Sequence, residues 1–142
     1  MNLTGIESMV IRDHDARLEG EWKTPPRARG IVLFAHGSGS SRHSPRNRHV
    51  AEGLRATRFA TLLFDLLTPE EDADPEVRFD VPLLARRLVA GTLWAEKREE
   101  TKGLPIGYFG SSTGAAAALV AAAALSPRIA AVVSRGGRPD LA

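Results

Sequence analysis

At 142 residues the chain is long enough to bury a substantial core yet short for an α/β enzyme, and it reads as one domain spanning 1–142. A formal net charge of +2 argues against a nucleic-acid partner or an anionic membrane surface. The lack of cysteine excludes a disulfide framework, a thiolate nucleophile and a Cys-based metal site. With no apolar leader at the N-terminus, a cytoplasmic protein is the default expectation.

Leu3 to Trp22 alternates loosely between apolar and polar residues around His14-Asp15, which predicts a β-hairpin with a surface turn. Thr24-Pro25-Pro26 to Gly30 breaks regular structure. Ile31-Val32-Leu33-Phe34-Ala35 is a continuous apolar run, as expected of a parallel strand buried on both faces. It ends in a loop of small residues, His36-Gly37-Ser38-Gly39-Ser40-Ser41. A helix is predicted from about Pro45 to Arg58, with Val50, Leu54 and the stem of Arg58 on one face. Arg42, Arg46, Arg48, Arg55 and Arg58 make this stretch basic, most simply as a solvated face.

Ala60 to Leu67 predicts a second buried strand. The acidic stretch from Thr68 to Pro75 reads as a solvated loop. Asp80 is placed to cap a helix from about Val81 to Glu99, with Leu84, Leu88, Leu93 and Trp94 as its apolar residues. Leu104 to Phe109 predicts a strand, Ala115 to Leu125 a buried helix, and Ile129 to Ser134 a last strand. Strands alternating with helices imply a mostly parallel sheet flanked by helices on both faces, behind the N-terminal hairpin. Ligands in such folds bind outside the carboxyl ends of the strands. Here those ends carry His36-Gly37-Ser38, Asp65, Ser111-Ser112 and Arg135-Gly136.

Gly110-Ser111-Ser112-Thr113-Gly114 stands between a predicted strand and a predicted helix. G-x-S-x-G in that context is the signature of a nucleophile elbow. The turn is so tight that only glycine leaves room for the backbone at either end, and it lifts the serine out of the sheet.

With the His-Gly loop, Phe64-Asp65 and the elbow together, the chain resembles the α/β-hydrolase fold. The closest likeness is to small dienelactone-hydrolase-like esterases, to which Ser41 to Asn47 and Ser134 to Asp140 are also similar. The resemblance implies acyl-enzyme chemistry on a small-molecule ester, with no cofactor and no metal. Ser112 would be the nucleophile, and the backbone N–H groups of Thr113 and Ser38 would form the oxyanion hole.

In that fold the triad runs Ser, acid, His along the chain. No histidine follows Ser112 here, and Asp140 is the remaining acid. The resemblance therefore leads us to expect a chain lacking the C-terminal part that carries the usual acid and His. Two alternatives for the base are His36, in line with Ser112 and Asp65 across neighbouring strand ends, and His43, on the flexible part of the loop; the resemblance also implies, more simply, that His36 and Asp65 support that loop. Asp140 could orient either imidazole. His14 and His49 read as surface residues.

The exposed apolar edge at Ile129 to Ser134 predicts a homodimer or higher oligomer, or a piece of a longer polypeptide. A relative without catalysis, serving as a binding or assembly module, is the second reading. Phosphate binding by His36 to Arg42 is a third, and it lacks the lysine of a P-loop and the third glycine of a dinucleotide fingerprint.

Overall fold

A computed structural model describes residues 5–142. The hairpin is formed by β1 (Glu7–Asp13) and β2 (Ala16–Lys23), paired antiparallel. Its expected start at Leu3 lies outside the described residues. There follow β3 (Gly30–Ala35), α1 (Pro45–Ala56), β4 (Phe59–Phe64), the short helices α2 (Pro69–Asp72) and α3 (Pro75–Arg78), and α4 (Val81–Glu96). β5 (Ile106–Ser111), α5 (Thr113–Ala124) and β6 (Ile129–Arg135) complete the order.

The six strands form one sheet in the order β1-β2-β4-β3-β5-β6. β2 meets β4 antiparallel, while β4, β3, β5 and β6 run parallel. Side chains alternate across β3 and sort the helices. Val32 and Phe34 pack with Val50, Ala51 and Leu54 of α1. Ile31, Leu33 and Ala35 belong to the larger core on the opposite face, with Leu84 and Leu88 of α4 and Ala117, Ala118 and Ala121 of α5. Trp22 of the hairpin meets Trp94 of α4 edge to face, with ring centroids 5.4 Å apart.

β4 stops at Phe64 rather than at Leu67. The Asp65 N–H still continues the pairing with β2 by donating to the Glu19 carbonyl, but the next one, of Leu66, is drawn off the ladder to the His36 ring. The helix expected to reach Glu99 ends at Glu96, and Leu93, expected on its apolar face, is 42% exposed.

The acidic stretch is largely exposed, as expected, but it is helical rather than a loop and Glu71 is not free in solvent. Thr68 and Glu71 form a reciprocal capping box at the start of α2. Glu71 also accepts from the Arg87 guanidinium at 2.8 and 2.7 Å, and Arg87 is almost fully buried. The same guanidinium donates to Asp13 at the hairpin tip and to the Leu66 carbonyl. One buried cation of α4 thus fastens the hairpin, the end of β4 and α2 together. Two of the arginines before and within α1 are also tied down: Arg42 pairs with Asp65 and Glu19, and Arg48 with Glu21.

β6 is the edge of the sheet and is largely exposed, with Val133 at 51%. Beside it an apolar groove of about 490 Å³ opens between α1 and the β5–β6 face, lined by Val50, Leu54, Phe109, Ala131 and Val133 among others. Among the described residues no helix is long and apolar enough to cross a membrane.

Candidate active site

β5 delivers the chain to the elbow and α5 carries it away, with Ser112 as the residue between them. Its backbone has φ 54° and ψ −124°, a left-handed conformation that costs a non-glycine residue on the order of 1–3 kcal/mol. The side chain is exposed although Ser111, Thr113 and Gly114 on either side are buried.

The flanking glycines show what enforces this geometry. A Cβ on Gly110 would stand 2.5 Å from the Ala115 Cα, inside the turn itself. A Cβ on Gly114 would stand 2.1 Å from the Ala35 carbonyl oxygen and 2.4 Å from that of His36. Helix α5 therefore starts with its backbone against the end of β3, and Ser112 comes beside the loop that follows. A Cβ built on Gly37 would lie 3.1 Å from the Ser112 Cβ.

Thr113 opens α5, and among the described residues no hydrogen bond occupies its backbone N–H. An N–H at a helix N-terminus, next to an exposed hydroxyl, is suited to receive developing negative charge. The Ser38 N–H, the second expected donor, is committed elsewhere: it donates to the Thr113 Oγ1 at 3.0 Å. Ser38 Oγ donates in turn to the Arg78 carbonyl at 2.9 Å and lies 2.9 Å from Thr113 Oγ1.

His36 does follow β3, between the strand ends that carry Asp65 and Ser112. Its imidazole, however, is buried and both nitrogens are engaged by backbone. Nε2 accepts from the Leu66 N–H at 2.9 Å, so the proton is on Nδ1, which donates to the Gly37 carbonyl at 2.9 Å. Burial holds its pKa below the ordinary histidine value, only partly offset by that carbonyl and by Asp65 and Asp72. The expectation of a catalytic His36 is corrected on this ground: the ring has no free lone pair to offer. It braces the loop against the end of β4.

His43 is exposed, and its Nδ1 accepts from Arg48 at 2.8 Å. Asp140 is also corrected as an orienting acid. It lies on a short exposed turn, Pro139–Leu141, and is paired with Arg138 two residues earlier. That guanidinium keeps its carboxyl below the usual range. Asp65 is occupied by the backbone and side chain of Arg42. Among the described residues, no imidazole or carboxylate is hydrogen-bonded to the Ser112 hydroxyl.

Two roles at the elbow escaped the sequence reading, which named Arg135 only as part of a strand end. Arg135, at the end of β6, accepts the Ser112 N–H on its carbonyl and donates through Nη2 to Ser111 Oγ at 3.1 Å and to the buried Asn47 Oδ1 at 3.3 Å. Its Nε is buried without a partner. The Thr113 hydroxyl is the other. Neither has a local signal, since their partners lie on distant elements.

This architecture is an α/β-hydrolase-like fold: a mixed six-stranded sheet with helices on both faces and a serine elbow after β5. Known structures agree. A crystal structure of dienelactone hydrolase from Anabaena variabilis superposes with a TM-score of 0.90 at 53% identity, over 96% of this chain and 65% of that one. An esterase from Pyrococcus furiosus gives a TM-score of 0.74 at 23% identity, over 93% of this chain and 50% of that one. By sequence, the chain is 62% identical over 123 residues to a Mycobacterium tuberculosis protein provisionally named a phosphoribosyl transferase. That match takes in 87% of this chain and 28% of the relative. The chain thus spans little more than a quarter of the curated relatives it matches. No protein-family model matches it.

Proposed function

We propose that the chain is a carboxylic ester hydrolase acting on short-chain or activated esters, with Ser112 as nucleophile and an acyl-enzyme intermediate. One observation carries this reading: Ser112 is held in a left-handed backbone conformation with its hydroxyl exposed, directly before the unoccupied Thr113 N–H. The likeness to dienelactone hydrolase at 53% identity supports it. In the reaction the Ser112 oxygen attacks the ester carbonyl carbon, and the carbonyl oxygen takes up negative charge against the Thr113 N–H. The Ser112 proton passes to water, the C–O bond to the leaving group breaks, and the departing alkoxide or phenolate takes its proton from water. A second water then cleaves the acyl-enzyme, releasing the acid and restoring the Ser112 hydroxyl.

Among the described residues Ser112 has no imidazole partner, so the activity of these residues by themselves is kept to activated esters. Serine hydrolases stripped of their triad retain roughly 10³- to 10⁴-fold acceleration over water through the oxyanion hole and binding. Esters with leaving groups of low pKa need no general acid, so aryl esters are within reach and amides are not. The phosphoribosyl transferase name belongs to proteins only 28% of whose length lies in the match, and among the described residues nothing at the elbow favours that chemistry.

The same missing contact favours a second reading, a catalytically impaired relative acting as a binding or assembly module. Phenol release from short-chain aryl esters by wild type and Ser112→Ala separates the two. Faster release by wild type, with an organophosphonate adduct located on Ser112 by mass spectrometry, supports the esterase; equal rates and no adduct support the module.

A further inference from the structure

The three contacts around Ser38 have a fixed donor order. Arg78 offers a carbonyl, which can only accept, so the Ser38 hydroxyl proton points there. The Thr113 proton must then serve the 2.9 Å contact by pointing at Ser38 Oγ. Thr113 Oγ1 in turn accepts the Ser38 N–H at 3.0 Å. One hydroxyl, 2% exposed, therefore both gives to and takes from the loop after β3, and through that loop reaches the end of α3.

We propose that Thr113 is a positioning residue: its hydroxyl clamps the loop after β3 to the elbow and so sets the width of the space into which Ser112 projects. This inference rests on the esterase reading and adds a role for the Thr113 side chain to that of its N–H. The clamp is reinforced from behind, because the Arg78 guanidinium holds the Asp72 carbonyl at 2.6 Å, closing the α2–α3 segment on itself. Ser38 is half-buried, so solvent can reach the loop and only the clamp keeps its amide engaged. Misplacing a reacting wall by an ångström can lower a rate on the order of 10²-fold.

Thr113→Ser keeps the hydroxyl, while Thr113→Val keeps the shape without it. The expected result is a kcat on aryl esters within about 3-fold of wild type for Thr113→Ser, and about 10- to 100-fold lower for Thr113→Val with KM changed less than about 3-fold. Exchange of the Ser38 amide, followed by NMR, should quicken at least about 10-fold in Thr113→Val alone. A wild-type kcat in Thr113→Val, or an equal loss in both variants, would overturn the proposal.

If wild type turns over no faster than Ser112→Ala, the esterase reading has failed. The clamp is then judged by exchange alone, and an unchanged Ser38 amide in Thr113→Val rejects it. Should Thr113→Val not fold, Ser38→Ala removes the loop's half of the hydroxyl pair. It should lower kcat about 3- to 10-fold, and no loss would reject the clamp.

Discussion

Gly114 of α5 and Ala35 of β3 meet backbone to backbone, so close that a methyl group on Gly114 would stand 2.1 Å from the Ala35 carbonyl oxygen. Neither partner is a flexible side chain, so nothing nearby can move aside cheaply. Gly114→Ala is expected to cost about 3 kcal/mol or more, at the upper end of overpacking penalties, and to displace Ser112. Gly53, exposed in the middle of α1 with nothing within 4 Å of a Cβ, is the control. There alanine should stabilise by about 0.5–1 kcal/mol. Urea unfolding of both variants checks the pair, and a destabilised Gly53→Ala would contradict the packing described.

The braced imidazole of His36 makes stability depend on pH with a definite sign. Burial depresses its pKa in the folded state, while the unfolded chain takes up a proton near the ordinary value of about 6.5. The contribution is therefore complete above that value and is lost as pH falls through it toward the folded pKa. The urea midpoint should decline between about pH 7 and pH 5. His36→Gln should be less stable at neutral pH and should show a flatter profile over that window. An unchanged slope would mean that another group is responsible.

Glu71 acts in a lower window. Its hydrogen bond to Arg87, outweighing burial, holds its pKa at about 2 against an ordinary 4.5. The stability it supplies is present above pH 4.5 and disappears as pH falls toward 2. Glu71→Gln should cost about 1–2 kcal/mol at neutral pH, less than a fully buried pair would lose. The side chain is 27% exposed and Asp13 still faces the guanidinium. Acid unfolding midpoints of wild type and Glu71→Gln should converge as pH drops, and curves that stay parallel would contradict this account.

The bare edge of β6 is expected to pair with a second copy, because it carries alanine and valine where monomeric sheets place charges. Light scattering after gel filtration should show a homodimer or higher oligomer for wild type and a monomer for Val133→Lys. A wild type that is monomeric at every concentration would refute the pairing.

What was legible in the sequence was whatever is local. The elbow is a contiguous run of strand, Gly110-Ser111-Ser112-Thr113-Gly114 and helix, so its glycines and the exposure of Ser112 followed from spacing alone. The run from Ile31 to Ala35 has one buried reading and one place in a parallel sheet. What failed was set at a distance. Loop support by His36 was readable from the resemblance, but the bond that makes it, to the Leu66 N–H 30 positions further on, was not. The pairing of Glu71 was hidden because its partner Arg87 lies 16 residues further on, in a helix whose other inward residues are apolar. Ser38 was assigned a free N–H because the motif says nothing of the hydroxyl 75 positions away that claims it.

Ala115, Ala116, Ala117, Ala118 and Ala121 of α5 are all within 1% of complete burial. Methyl groups have no rotamers to exchange, so this helix cannot absorb a push at its first residue by rearranging its own side chains. A shift of Ser112 would therefore be passed along α5 as the displacement of a rod to α4, the helix packed against it.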